Sequence, residues 1–191
     1  NCGMYIKHSP ERITIKGYKR DDCTINAIGT ALGISYDLAR KILQTGVYYN
    51  GEFTFVKSNP RTKRAFTQRH HVKRICEALS LDRNVYISDE ELRQRRMKGI
   101  RKNPDDNSLK KFAECNPEGI FIVLVHSHLV TVINGKIIDT WDSSKSVVEI
   151  AYRIDVNKAR ETIYDLAKFY RMNSEEHMLE KHVESILNKA Y

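Results

Sequence analysis

The sequence predicts an α+β domain in which N-terminal helices pack on an antiparallel β-sheet, with a C-terminal helical appendage. Helical periodicity dominates the first third, an Asn134-Gly135 hairpin signal lies late in the chain, and two amphipathic segments follow it. A chain of 191 residues suits one core of this kind. We therefore expect an α+β domain over residues 1–152 and a helical hairpin packed on it over 153–191, the alternative partner for the hairpin being a second subunit or another protein.

Small and apolar residues recur every fourth position from Cys23, which predicts a buried helix that begins at or next to Cys23 and ends at Gly33. The carboxylates of Asp21 and Asp22 are expected to cap it by accepting from free backbone N–H groups. Ser35 should cap a second helix. Further patterns predict a hairpin or ordered loop over 48–56, a strand over 84–87, and helices over 36–44, about 67–79, 89–97, 108–115, 156–171 and 174–190.

The β-branched runs around Asn134-Gly135 are typical of a hairpin with a two-residue type I′ turn, because that turn needs positive φ at both central residues. In this register His128 and Asp139 lie on one sheet face, as diagonal neighbours within hydrogen-bonding reach. Trp141 lies opposite His128 on the same face, and we expect it to cover the pair and exclude water. The strands are expected over 120–126, 128–133 and 136–141.

The candidate nucleophile is Cys23, because a helix N-terminus and a neighbouring imidazolium both favour thiolate. Asp139 can fix the tautomer of His128 and leave its other nitrogen to act on the thiol. His126 has the same parity as His128 and is the alternative base. The competing interpretation is that Cys23 packs as a small apolar residue and that the His and Asp are surface or capping groups.

Two stretches of this sequence, Asp22-Cys23 opening a helix and His-Leu-Val-x-Val … Asp-x-Trp-Asp-Ser from His128 to Ser143, resemble the papain-like cysteine peptidases. The resemblance is closest to the C39-like branch and to small phage and bacterial proteins with the same pattern. It implies a papain-like fold, with Cys23 as nucleophile, His128 as general base and acid, and Asp139 as the orienting residue.

The resemblance also implies an oxyanion donor. Papain-like enzymes place a Gln about six residues before the cysteine, where this chain has Gly17. The expected substitutes are Tyr18, Lys19 or Asn26, or backbone N–H groups alone, including that of Cys23.

Positive charge is concentrated in residues 57–102. Lys and Arg exceed Asp and Glu by 32 − 24 = 8 over the whole chain, and this segment alone carries a larger excess than that. Such a surface can attract an acidic protein or nucleic acid, or can simply be solvated. The candidate contacts for an anionic partner are Arg64, Arg69, Lys73, Arg74, Arg93 and Arg96.

Composition narrows the classes of function. No apolar run approaches the roughly 20 residues needed to cross a bilayer, so no membrane association is expected, and a cytoplasmic location is favoured, in the host cytoplasm or virion for a phage protein. The four cysteines lack metal-ligand spacing, so neither a metal nor a cofactor is predicted. Two hypotheses stay open. The first is a cysteine hydrolase that cleaves a peptide or isopeptide bond in a peptide or protein through an acyl-thioester, with acyl transfer as a variant. The second is a catalytically silent scaffold that binds a protein or nucleic acid through the basic segment or the C-terminal helices.

Overall fold

The computed structural model describes residues 5–7, 22–49, 52–55, 69–100 and 107–170. Within them the chain forms a mixed α+β structure. The helices are α1 (Cys23–Leu32), α2 (Tyr36–Thr45), α3 (Arg69–Leu79), α4 (Asp89–Met97), α5 (Leu109–Cys115) and α6 (Val156–Tyr170). The strands are β1 (Tyr5–Lys7), β2 (Gly46–Tyr49), β3 (Glu52–Phe55), β4 (Ser80–Val85), β5 (Ile120–Val125), β6 (His128–Ile133), β7 (Lys136–Asp139) and β8 (Val148–Ile154).

Six of the strands form one sheet in the order β1-β7-β6-β5-β8-β4. Every neighbouring pair is antiparallel except β1 and β7, which are parallel. The predicted antiparallel sheet is therefore correct for five strands, and the short β1 at the edge makes the sheet mixed. Strands β2 and β3 form a separate antiparallel hairpin, as the residues around Asn50-Gly51 predict.

Helix α1 lies against the sheet and is buried from Thr24 to Leu32. The hydroxyl of Thr131 on β6 donates to the carbonyl of Ala27 at 2.6 Å, which ties the middle of the helix to the sheet. Gly33 ends the helix in the left-handed conformation, with φ of 67°, as predicted. The first turn of α1 is thereby held close to the first residue of β6, which is His128.

The register of the β6–β7 hairpin matches the sequence prediction. Thr131 pairs with Ile138 and Ile133 with Lys136. Asn134 and Gly135 both have positive φ, 48° and 75°, as a type I′ turn requires. However, β7 ends at Asp139, two residues earlier than predicted, and the following residues turn away from the strand.

Serine hydroxyls cap three of the described helices, as predicted for Ser35. Ser35 accepts from the N–H of Leu38, Ser88 from that of Glu91 and Ser108 from that of Lys111. The predicted cap of α1 is wrong for Asp22, whose side chain makes no capping hydrogen bond, and Asp21 lies outside the described residues. A hydroxyl or carboxylate at this position caps a helix only when no better partner competes for it. The carboxylate of Asp22 instead accepts hydrogen bonds from the side chains of Asn26 and Tyr36.

Two strands differ from the sequence prediction. The strand expected over 84–87 begins earlier, at Ser80, and runs directly on from α3. Strand β8, which lies in the sheet between β5 and β4, was not predicted. It runs to Ile154, across the expected domain boundary at residue 152.

Helix α6 packs on the same core as the other helices. Its buried residues Ala159, Ile163 and Leu166 join the cluster that contains Leu79 of α3 and Tyr152 of β8. The second expected C-terminal helix, over 174–190, lies outside the described residues. In the described part of the chain, no helix has the length and apolar character needed to span a membrane.

Candidate active site

Three separate elements bring Cys23, His128 and Asp139 together. Cys23 is the first residue of α1, His128 the first of β6, and Asp139 the last of β7. The hairpin places Asp139 beside His128, and the packing of α1 on β6 places Cys23 beside the imidazole. The structure thus joins the three residues that the sequence singled out.

The imidazole of His128 is anchored by Asp139. Nε2 of His128 lies 2.6 Å from Oδ2 of Asp139, and both side chains are largely buried. The same carboxylate oxygen accepts from the hydroxyl of Ser143 at 2.7 Å, and its Oδ1 accepts from the N–H of Thr140 at 2.7 Å. Tyr5 on β1 donates to the Asp139 carbonyl at 3.4 Å. Since Ser143 and Thr140 each hold one oxygen of the carboxylate, the direction in which Asp139 holds the imidazole is also fixed.

Burial acts on His128 to lower its pKa, but the hydrogen bonds and charges of Asp139 and Cys23 outweigh it and raise the pKa to about 9. At neutral pH the ring is therefore an imidazolium that donates from both nitrogens. With Nε2 directed to Asp139, Nδ1 is left to exchange a proton at the sulfur.

The pKa of the Cys23 thiol moves in the opposite direction. Burial raises it, but the hydrogen bond from His128 and the backbone N–H of Leu129, with smaller contributions from the His128 charge and Thr24, lower it overall. A lowered cysteine pKa next to a raised histidine pKa is the electrostatic signature of a thiolate–imidazolium pair. The neighbours of Cys23 therefore favour the thiolate, which is the nucleophilic form of the sulfur.

Trp141 contacts the pair but does not seal it. Its ring centroid lies 4.9 Å from that of His128, and the residue is 49% exposed. The prediction is therefore correct in that Trp141 contacts His128, and wrong in that the Trp141 ring is not buried and does not exclude water from the pair. The reason is that β7 ends at Asp139, so Trp141 lies in the turn that follows the strand and faces solvent on one side.

Cys23 and His128 open into a cavity of about 1110 Å³, large enough for several residues of a peptide. Trp141, Thr24 and the alternative base His126 also line it. His126 lies in the exposed turn between β5 and β6, and the carboxylate of Asp139 contacts His128 instead. The geometry therefore selects His128 as the base over His126.

The oxyanion donors expected from side chains are not found in the described part of the cavity. Asn26 donates to Oδ1 of Asp22 at 3.4 Å, and Tyr36 donates to Oδ2 of Asp22 at 3.2 Å. Helical geometry directs Asn26 back toward residue 22, so the expectation for Asn26 is corrected. Tyr18 and Lys19 lie outside the described residues. Because Asp22 turns to these partners, its carboxylate makes no capping hydrogen bond to the N–H groups at the start of α1.

The predicted anion-binding residues that the structure describes fall into two groups, those that form ion pairs with acidic residues and those that do not. Arg69 lies 3.0 Å from Asp89 and 2.8 Å from Glu149, and Lys73 lies 2.7 Å from Asp89. Arg93 pairs with Glu90. These three already have acidic neighbours within the described residues, and their contact with an anionic partner stays a prediction. Arg74 and Arg96 have no ion pair among the described residues, and Arg64 lies outside them.

Two contributing residues were missed at the sequence level. Ser143 is 1% exposed and holds the same oxygen of Asp139 that contacts His128. Thr24 has its hydroxyl 4.0 Å from the Cys23 sulfur. Thr24 directly follows Cys23, and Ser143 is the last residue of the Asp-x-Trp-Asp-Ser pattern, which was a signal that could have been used.

Among the described residues no group of three His, Cys, Asp or Glu side chains is arranged to hold a metal ion. Comparison of the chain with family models, with curated proteins and with solved structures finds no match. The functional assignment therefore depends on the geometry and electrostatics of this site.

Proposed function

We propose that this chain is a cysteine hydrolase of the papain-like type, which cleaves a peptide or isopeptide bond through an acyl-thioester at Cys23. The observation that carries the proposal is the Asp139-anchored His128 beside a cysteine of lowered pKa, open to a cavity of about 1110 Å³. The order of a nucleophile on a buried helix, a base on a later strand and an acid on the adjoining strand supports the papain-like arrangement.

In the first half of the reaction the Cys23 thiolate attacks the carbonyl carbon of the bond to be cleaved, and an S–C bond forms as the carbonyl becomes an oxyanion. When this intermediate collapses, the C–N bond breaks. His128 gives its Nδ1 proton to the departing amine, which leaves as a neutral product. The neutral imidazole and the acyl-thioester remain.

In the second half His128 takes a proton from water, and the resulting hydroxide attacks the thioester carbon. The S–C bond then breaks, the carboxylic acid departs and the thiolate and imidazolium are restored. Asp139 keeps its charge throughout and stabilises the imidazolium in each half.

Backbone N–H groups at the start of α1 are the donors we assign to the oxyanion. The carboxylate of Asp22 is turned toward Asn26 and Tyr36, so it does not occupy the helix end. The N–H of Cys23 is placed there together with the positive end of the helix dipole.

The test measures nucleophilicity and product together. Iodoacetamide labelling at pH 7, located by mass spectrometry, should favour Cys23 over Cys115, which is exposed on α5. A mixture of peptides from a digested proteome should gain new termini with the wild-type chain and with Cys115→Ser, but not with Cys23→Ser. Labelling of Cys23 no faster than Cys115, together with no new termini, would support the catalytically silent scaffold.

A further inference from the structure

The wall of the active-site cavity carries more positive than negative charge. Arg69, Arg95, Arg96 and Lys145 line it, against the single carboxylate of Glu149 among the described lining residues. Arg69 is paired with Glu149 at 2.8 Å, and Arg95 with Glu91 at 2.8 Å.

Arg96 and Lys145 are the cations left over from this pairing. Neither forms an ion pair within the described ranges, although the charge of Lys145 helps to lower the pKa of the exposed carboxylate of Asp142. Arg96 also lines a second cavity, of about 570 Å³, whose wall carries both the basic Lys73 and Arg74 and the acidic Glu77 and Asp89. Two unpaired cations thus share a concave surface with the nucleophile.

These cations are placed to act on a ligand and not on the sulfur. The groups that lower the pKa of Cys23 are His128, Leu129 and Thr24, and neither Arg96 nor Lys145 is among them. Both residues are exposed, and a cleft lined by one sign of charge focuses its field on a bound ligand of the opposite charge. A negative group on the ligand would therefore be attracted to this wall of the cavity.

We propose that Arg96 and Lys145 form a subsite for an acidic side chain of the substrate, so that the preferred peptides carry Asp or Glu close to the bond cleaved at Cys23. This inference rests on the proposed function. A peptide is favoured over a nucleic acid because the neighbouring thiolate and imidazolium act on acyl carbon, which a nucleic-acid backbone does not contain. Two unpaired cations in a cavity also match one or two carboxylates better than a run of phosphates.

The experiment compares two alkylating reagents that differ in charge. Iodoacetate is an anion and iodoacetamide is neutral, so the ratio of their rates at Cys23 reports the field in the cavity. We expect Arg96→Gln and Lys145→Gln each to lower this ratio about three- to ten-fold. Lys110→Gln, which removes the same charge from the exposed face of α5, is the control and should leave the ratio unchanged. Because each ratio is taken within one variant, a general change in thiol reactivity cancels.

A second measurement identifies the ligand. Acetyl-hexaglutamate amide should slow iodoacetamide labelling of wild-type Cys23 more than acetyl-hexaglutamine amide, and Arg96→Gln should reduce that difference. A ratio that changes no more in the cavity variants than in Lys110→Gln overturns the proposal. The proposal is also overturned if Cys23 is labelled by iodoacetamide at the same rate in the presence of either hexapeptide. The same holds if a thymidine oligonucleotide slows the labelling of Cys23 and acetyl-hexaglutamate amide does not. Loss of selective Cys23 labelling in the wild type is a different result, which counts against the proposed function itself.

Discussion

At the scale of single residues, the reactivity of Cys23 depends on a balance between burial and one neighbour. Burial raises the pKa of the thiol, and the hydrogen bond from His128 is the largest influence that lowers it. An alanine at position 128 should let burial prevail, so that less thiolate is present at neutral pH.

The measurement is the rate of iodoacetamide labelling of Cys23 as a function of pH. Since one unit of pKa changes the thiolate fraction tenfold, His128→Ala should slow labelling at pH 7 by on the order of ten-fold or more. The difference should narrow as the pH rises and the thiol ionises without help. Cys115 provides the reference within each sample, and identical profiles for Cys23 in both proteins would contradict the assigned pair.

Asp139 controls the charge on His128 by a similar balance. Burial lowers the pKa of His128, but Asp139 contributes most to raising it to about 9, so the ring keeps its proton well above neutral pH. In Asp139→Asn the carboxylate charge is lost, and the pKa should fall toward the ordinary value near 6.5.

NMR titration of the His128 ring should therefore move its midpoint to lower pH in Asp139→Asn. Asp142→Asn, which removes an exposed carboxylate three residues further along the chain, is the matched control and should move it little. A midpoint that stays near pH 9 in Asp139→Asn would mean that another group holds the proton on the ring.

At the scale of elements, the β6–β7 turn sets the register that brings His128 to Asp139. Gly135 has φ of 75°, and a Cβ there would meet the carbonyl oxygen of Ala113 at 3.2 Å and Cα of Pro117 at 3.3 Å. Backbone atoms cannot rotate out of the way as a side chain can. Gly99 also has positive φ, 64°, but a Cβ there meets nothing within 4 Å.

The two glycines therefore separate conformational strain from steric crowding. Gly99→Ala should lower the free energy of unfolding by about 1 kcal/mol, the cost of a left-handed alanine. Gly135→Ala should lower it by about 2 to 3 kcal/mol, because the contacts with residues 113 and 117 add to that strain. Urea unfolding measures both, and equal losses would show that the turn relaxes without cost.

The elements that could be predicted are those with a local signature. Gly33 and the serines at 35, 88 and 108 mark helix ends through their own backbone and hydroxyl chemistry, and Asn134-Gly135 fixes a register within its own hairpin. These features need no information about distant residues. The relation of His128 to Asp139 was predictable for the same reason.

The two strands that were not placed correctly differ in the signals they carry. In β8, Val148, Ile150, Tyr152 and Ile154 are apolar at alternate positions, a local strand signal that the sequence interpretation did not use. Its Glu149 is 3% exposed and is paired by Arg69 of α3. In β4, residues 81–85 are exposed and carry no apolar alternation, so the strand exists through its backbone pairing with β8. That pairing leaves no mark on the local sequence of β4.

At the scale of the whole molecule, the site depends on contacts between remote parts of the chain. Thr131 and Ala27, which join β6 to α1, are 104 positions apart. The meeting of Cys23 with His128 could be proposed from their chemistry and the family resemblance, but the packing that produces it is a property of the complete core. Changes in that core, even far from Cys23, should therefore alter the site.

Helix α6 provides the sharpest test of this dependence, because the sequence leaves open whether the C-terminal helices pack on their own domain or on another chain. Leu166 is 0% exposed in the cluster that also contains Cys76 of α3. Leu166→Ala should lower the free energy of unfolding by about 2 to 5 kcal/mol through loss of buried contacts and a residual cavity.

A second readout is the alkylation of Cys76, which is itself 0% exposed and should react faster as unfolding becomes more frequent. Glu161→Ala, on the exposed face of the same helix, should change neither quantity appreciably. If Leu166→Ala destabilises the chain only at high protein concentration, α6 is an interface between chains and not part of the core on which the site is built.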